Sequence, residues 1–208
     1  MIIRALFWFI FSLLFALIEV ENEGKYGWAQ KSQTWYRSSW HLPRVIRIFL
    51  GSKPLTGYHL FLFPLVFLLN HVPFFAGLPW SLEQEFIALA IFFSWAPLWD
   101  YLWFVFNPFY KIQEFKKVWW YAKSYCIFNL IPIENFIQWV LSVFLALAAT
   151  LLTKNASLLT NHMLFLGYLI LFTILSYFFL APLYKRWYYR MRQSDDRHEL
   201  KLDQPSGN

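Results

Sequence analysis

The sequence predicts an all-α polytopic integral membrane bundle of about five transmembrane helices, and three observations predict it. Of the 208 residues, 59% are hydrophobic and only 14% charged, against about 25% charged in an ordinary soluble domain, too few to wet the surface of a soluble globule. Aromatic residues reach 23%, and membrane–water interfaces favour such amphipathic rings. The apolar residues also gather into runs that approach or exceed the roughly 20 residues a helix needs to cross a hydrocarbon layer.

The spans fall near 5–20, 56–77, 86–106, 127–152 and 163–184. The first is the shortest, an apolar run from Ala5 to Ile18 closed by Glu19. Ala16-Leu17-Ile18-Glu19 offers no small-x-small cleavage site, and Arg4 is the only basic residue ahead of the run. It therefore reads as a retained helix and not as a secretory signal. The second span follows Pro54 and a turn, Thr56-Gly57-Tyr58-His59, in which Gly57 allows close approach of a neighbour or access to His59. Pro64, Pro73 and Pro97 lie within spans two and three; each removes a backbone hydrogen bond and can kink its helix, opening room in the bundle.

The connections divide into two kinds. Residues 21–54 form a long interfacial segment in which PRVIRIFL (43–50) alternates basic and apolar residues, as a piece lying along a membrane surface does. Residues 107–125 mix lysines with Phe, Tyr and Trp, while the connections near 78–85 and 153–162 are short. Residues 1–192 thus make one bundle, and 193–208 read as a polar, disordered tail. Asn155-Ala156-Ser157 matches the glycosylation sequon but lies almost against the membrane, and so short a pattern is a chance match.

Charge sets the expected orientation. Lys25, Lys31, Arg37, Arg44, Arg47 and Lys53 follow span one; Lys111, Lys116, Lys117 and Lys123 follow span three; Lys185, Arg186, Arg190, Arg192, Arg197 and Lys201 follow span five. Only Arg4 and Lys154 fall on the other side. The positive-inside rule then places the N-terminus outside and the C-terminus in the cytoplasm. The net charge of +6 is that pattern together with attraction to anionic membrane lipid, and no nucleic-acid-binding motif accompanies it. A single cysteine, Cys126, excludes an intrachain disulfide and a Cys-based zinc cage, and no disulfide-linked partner is expected. A homo- or hetero-oligomer in the membrane is compatible with all of this.

Ionisable residues inside a bilayer are expensive and need a reason. The threading puts Glu19, Glu21 and Glu23 at the end of span one, His59 at the start of span two, Asp100 and Asn107 at the end of span three, and Asn129, Glu134, Asn135 and Gln138 at the start of span four. All fall in the cytoplasmic leaflet. Glu19 and Glu23 are four apart, Asp100 and Asn107 seven, and Glu134 and Gln138 four, so each pair shares a helix face. Gly24 is a natural helix stop after Glu23. His71, Glu83, Glu85 and His162 sit at the opposite ends of the spans as interface residues or a second, weaker polar cluster. Glu114, among lysines, reads as an exposed ion pair. Gly24-Lys25-Tyr26-Gly27-Trp28-Ala29 reads either as an interface anchor or as a lid with glycine hinges.

Four roles fit this convergence. The polar groups can hydrogen-bond one another and hold the bundle together. Glu19, Glu23, His59, Asp100 and Glu134 can ligate a divalent metal such as iron, manganese or zinc, although no Glu-x-x-His or His-x-x-x-His spacing is present. His59, Asp100, Glu134 and Glu19 can perform metal-free acid–base catalysis, or a carboxylate chain can conduct protons or ions. The leading expectation is a small membrane-embedded enzyme acting on a lipid or other apolar substrate from the cytoplasmic leaflet. Asn107, Asn129 and Lys25 are the candidate substrate-binding residues. The alternative, from another class, is a non-catalytic accessory subunit or transporter component with a structural polar core. The multiple histidine boxes of membrane desaturases and hydroxylases are absent, as are the aspartate-rich pairs of prenyl transferases.

Overall fold

The computed structural model describes residues 1–38, 41–44, 53–118, 125–128 and 131–194. Among these residues five helices are long and apolar enough to cross a membrane. They are α1 (Ile2–Glu23), α2 (Gly57–Phe75), α3 (Leu82–Phe106), α4 (Ile133–Thr153) and a continuous rod over Ser157–Gln193. The rod consists of α5 (Ser157–Leu175), a π turn (Ser176–Leu180) and α6 (Ala181–Gln193). The chain is an all-α integral membrane bundle.

Several ends differ from the sequence-based spans, α3 for instance starting at Leu82 and not near 86. Helix α4 starts at Ile133 and not near 127, because Cys126 and Ile127 pair with Pro132 and Ile131 in a two-residue antiparallel ladder. Pro132 then opens the helix, its missing N–H being one that a first turn leaves unpaired anyway. Asn129, expected in the first turns of that helix, lies outside the described residues, as do most of the 43–50 stretch and the polar tail from 195 onward. The last span starts earlier, at Ser157, and runs through its basic stretch to Gln193 without a break.

Helix α3 is the hub. About two thirds (67%) of its most apolar stretch is covered by protein, against 17% to 28% for the other four. Helix α1 reaches it closely because Ala5, Ser12 and Ala16 are small and fully buried on α1, and the Ser12 hydroxyl meets the Trp95 carbonyl of α3. Small residues let helix backbones approach where lipid supplies no hydrophobic drive to association. Between the small contacts runs an aromatic ladder: Trp8 stacks on Trp95 at 5.4 Å, Trp95 lies parallel to Trp99 at 6.5 Å, and Phe11 and Phe15 brace them from α1.

Side chains then bond the carbonyls around Pro97. Ser12 donates to the carbonyl of Trp95, Trp139 to that of Ser94, and Asn135 to that of Pro97. On the opposite flank Asn70 donates to the carbonyl of Ala88 and accepts from the Trp95 indole, tying α2 to α3.

One end of the bundle gathers the basic connections. Arg192 reaches the Glu21 carboxylate at 2.9 Å, Asn107 donates to the carbonyl of Gly24 at 2.7 Å, and Tyr110 donates to that of Lys25. At this end Tyr36–Arg37 pairs antiparallel with Leu55–Thr56, and a short 3-10 helix spans Ile112–Lys117. At the other end His71 meets Glu85 at 3.1 Å with Trp80 donating to the same carboxylate, and His162 meets Ser142 at 3.3 Å. Glu114 is paired with Lys117, as the lysine-rich sequence suggests.

Gly57 is required at the start of α2. A Cβ there would lie 2.6 Å from Trp35 Nε1 and 2.9 Å from Thr34 Oγ1. Gly57→Val should lower stability by about 1–3 kcal/mol through overpacking, measured by thermal unfolding in detergent. At Gly167, where a Cβ meets nothing within 4 Å, alanine should be neutral or raise stability by about 0.5–1 kcal/mol.

Candidate metal centre

On α1, Ala5, Phe9, Ser12, Ala16, Glu19 and Glu23 recur at intervals of three or four, so they form one face, and all are buried. The stripe that lets α1 lie against α3 therefore carries two carboxylates into the interior as it approaches the basic end. Insertion scales put the cost of an ionised group in such a place at about 3 kcal/mol, so partners are needed.

Glu19 has two. Its Oε2 accepts from Trp99 Nε1 of α3 at 2.7 Å, and its Oε1 accepts from the Tyr58 hydroxyl of α2 at 3.2 Å. Glu23 is held from the loop that follows it. Gly24, Gly27, Trp28 and Ala29 all have positive φ, between 48° and 62°, which curls the chain back over the end of α1. The backbone N–H groups of Trp28 and Ala29 point at the Glu23 carboxylate, with the Trp103 indole beside it. Consecutive N–H groups in such a turn form an anion-binding nest. Two non-glycine residues in a left-handed conformation are uncommon, and the carboxylate they enclose is what holds them there.

His59 is fixed by its own helix start. Thr56 caps α2, its Oγ1 accepting from the His59 N–H at 3.2 Å and lying 2.7 Å from His59 Nδ1. The Trp28 ring stacks on the imidazole at 4.1 Å and 16°, and the Lys53 ammonium lies 4.4 Å from the centre of that indole on a cation–π contact. The Trp28 indole N–H donates to the carbonyl of Pro54, so loop and α2 entry are tied together.

The outcome is one cluster. A carboxylate oxygen of Glu19, one of Glu23 and a ring nitrogen of His59 all lie within 4.8 Å of one another, and all three residues are buried. With Nδ1 engaged by Thr56, Nε2 is the nitrogen available to a ligand. Donor atoms bound at about 2.0–2.2 Å from one zinc-like ion need only a small inward movement from this arrangement. One imidazole nitrogen with carboxylate oxygens suits zinc, iron or manganese.

Asp100 and Glu134 belong to the surroundings of this triad. Asp100, half-buried on α3, is within electrostatic reach of Glu19, Glu23 and Lys53. Glu134 is exposed in the first turn of α4 and reaches Lys53 electrostatically. Burial draws the Lys53 ammonium below the ordinary lysine range, while Asp100 and Glu134 act to restore it.

Among the expected substrate-binding residues, Asn107 is a staple. It is fully buried, donates to the carbonyl of Gly24 and accepts from the N–H of Phe109 at 3.0 Å. Lys25 is exposed, its ammonium 5.3 Å from the Tyr26 ring. Sequence reasoning alone does not find Thr56, Trp99, Trp28 or Lys53. Trp99 and Thr56 carried a usable signal, since one adjoins Asp100 and the other stands three residues before His59 in an N-cap position. Trp28 falls in the Gly24–Ala29 stretch that reads as an anchor or a lid, but nothing there points its ring at His59, and Lys53 carries no local pattern.

Replacing Glu23 with Gln removes a charged acceptor from the nest, a loss of about 1.5–3 kcal/mol. Hydrogen exchange at the Trp28 and Ala29 amides should quicken by about one to two orders of magnitude on the same scale, with α3 amides unchanged. Compared with protein-family models, with curated proteins and with solved structures, the chain matches none of them, so the centre stands on its own chemistry.

Proposed function

We propose that the chain is a membrane-embedded enzyme that holds one divalent metal ion at Glu19, Glu23 and His59 and acts there on a lipid or another apolar substrate. The observation that carries this reading is the mutual approach of three buried ligand atoms within 4.8 Å in a part of the protein where ionisable groups are otherwise avoided. The supporting groups are of the kind that orient metal ligands: Thr56 on the imidazole, and Trp99 and Tyr58 on the Glu19 carboxylate. Asp100 adds a further carboxylate within electrostatic reach of Glu19 and Glu23.

Three protein ligands leave coordination positions for water or substrate, where a bound ion supplies Lewis acidity. The chain's own part is to fix the ligands and to exclude bulk water with the Trp28 ring and the loop over Glu23. Orientation enters the proposal as well. Lysines and arginines of the 24–44, 53 and 108–118 segments and of α6 belong to the end that holds the triad, and Arg4 and Lys154 to the other, so the positive-inside rule puts the centre at the cytoplasmic leaflet.

A structural role has one observation of its own in favour: each carboxylate already accepts hydrogen bonds from protein donors. Under that role the same residues would serve a non-catalytic subunit. The two are separated by metal content.

Purified without chelators, the protein should carry about one equivalent of iron, manganese or zinc per chain, measured by elemental analysis. His59→Ala and Glu19→Gln should lose it, while Trp99→Phe and Thr56→Val should weaken binding about 10- to 100-fold. Adding metal at about 100 times its Kd should stabilise the wild type by about 2.7 kcal/mol and leave His59→Ala unmoved. A folded wild type that binds none of these ions at stoichiometric levels would refute the metal centre.

A further inference from the structure

The end of the bundle away from the metal-binding cluster carries a polar group of its own, at the hairpin between α2 and α3. His71 lies near the end of α2 and Glu85 in the first turn of α3. The His71 Nδ1 is 2.7 Å from the Phe67 carbonyl oxygen, which can only accept, so this nitrogen carries a proton. The Nε2 is 3.1 Å from Glu85 Oε1, while Glu85 Oε2 accepts from the Trp80 indole at 3.0 Å. A carboxylate engaged in this way is an acceptor, so Nε2 carries a proton too. We propose that the His71–Glu85 pair is a proton-operated clamp: an imidazolium ties the end of α2 to the start of α3, and loss of one ring proton releases it.

The surroundings fit that role. A neutral imidazole protonates one nitrogen only. With that proton kept on Nδ1 for the Phe67 carbonyl, the Nε2 lone pair faces a carboxylate oxygen and the contact turns repulsive. The Phe67 ring, its centroid 4.2 Å from that of the imidazole, also favours the cation. Among the described residues Glu85 of α3 is the ionisable group in contact with His71, and Trp80 of the connection meets the same carboxylate.

The extent of the release follows from what remains tied. Asn70, one residue earlier, donates to the carbonyl of Ala88 and accepts from the Trp95 indole. Neither bond involves a titratable group, so Asn70 is the fixed point and the chain beyond it is the part that moves. Pro73 removes an intrahelical bond from that part, and Gly77 turns it at a φ of 103°.

The His71 side chain is 11% exposed and that of Glu85 23%, so protons reach the pair from this end. In the orientation proposed above it is the non-cytoplasmic end, and the clamp answers to the pH of that side. Histidine is the side chain whose charge changes near neutrality. Because the tied form is the imidazolium, the clamp holds at the lower pH and lets go as pH rises. Strong acid weakens it again by protonating Glu85.

The test is a double-mutant cycle of His71→Gln and Glu85→Gln, read by unfolding the full chain in mixed micelles with sodium dodecyl sulfate. At pH about 6 the two residues should be coupled by about 10-fold in the unfolding equilibrium, and at pH about 9 by none. Coupling that is equal at both values, or absent at the lower one, overturns the proposal. Nitrogen-15 spectra of the wild type need no variant: the imidazole beside Phe67 should show two protonated nitrogens at the lower pH and one at the higher. A single protonated nitrogen throughout overturns it as well. Nitroxides on Phe75→Cys and Leu82→Cys, both exposed positions, in a Cys126→Ser background, report the opening. Their distance distribution should broaden between the two pH values, and be broad at both with His71→Gln added; a distribution that pH does not move refutes the release. None of these readouts involves metal, so the metal centre and the clamp stand or fall separately.

Discussion

The burial of Glu19 at the seam between α1 and α3 is the constraint to which the basic end of the molecule answers. A carboxylate in that position needs donors from its neighbours, and the neighbours are set by packing that begins far from it. Ala5, Ser12 and Ala16 bring α1 against α3, and the stacked rings of Trp8, Trp95 and Trp99 fix the register in which the two meet. That register ends with the Trp99 indole on Glu19. The Tyr58 hydroxyl on the other oxygen then fixes where α2 begins, and the Thr56 cap two residues earlier sets the His59 ring. Packing, helix capping and the polar cluster are thus one chain of causes.

Helix α3 separates two environments with two faces. Toward α1 it presents Trp95 and Trp99 and, through them, carboxylates; toward α4 and α5 it presents Ser94, Leu98 and Tyr101 and an apolar groove. Its most apolar stretch is the most deeply buried of the five, which makes it the least able of the helices to shift. The loop over Glu23 is built differently. It holds the Glu23 carboxylate with its own N–H groups and stacks its indole on His59, so the loop and the polar cluster beneath it are ordered together.

Much of this is legible in the amino-acid sequence, for reasons particular to membranes. Apolar runs place the helices because backbone polar groups in lipid must be satisfied within the helix. The four-residue spacing of Glu19 and Glu23 already puts them on one face, and alternate threading already puts His59 and Asp100 near the same depth. What helical phase does not reveal is which face turns inward. Glu134 and Gln138 share a side of α4, yet Glu134 is exposed and the neighbouring Asn135 is the buried residue. Asn107 is polar and buried, but it joins backbone segments and its amide is used at both ends. Gly24 and Gly27 mark the loop that carries Trp28, but Trp28 and Ala29 take left-handed conformations that no glycine announces, so the direction of the fold-back has no signature in composition.

The rod from Ser157 to Gln193 carries a geometric consequence. Its 37 residues extend about 55 Å, while observed transmembrane tilts reach about 40°. Even at that inclination the rod covers about 42 Å along the membrane normal, well beyond a hydrocarbon layer of about 30 Å. No permitted inclination contains it, so one extremity stands clear of the apolar slab. The cations Lys185, Arg186, Arg190 and Arg192 identify the emerging portion, and the tie from Arg192 to Glu21 means that a push on this protruding handle is felt directly at the last turn of the first helix.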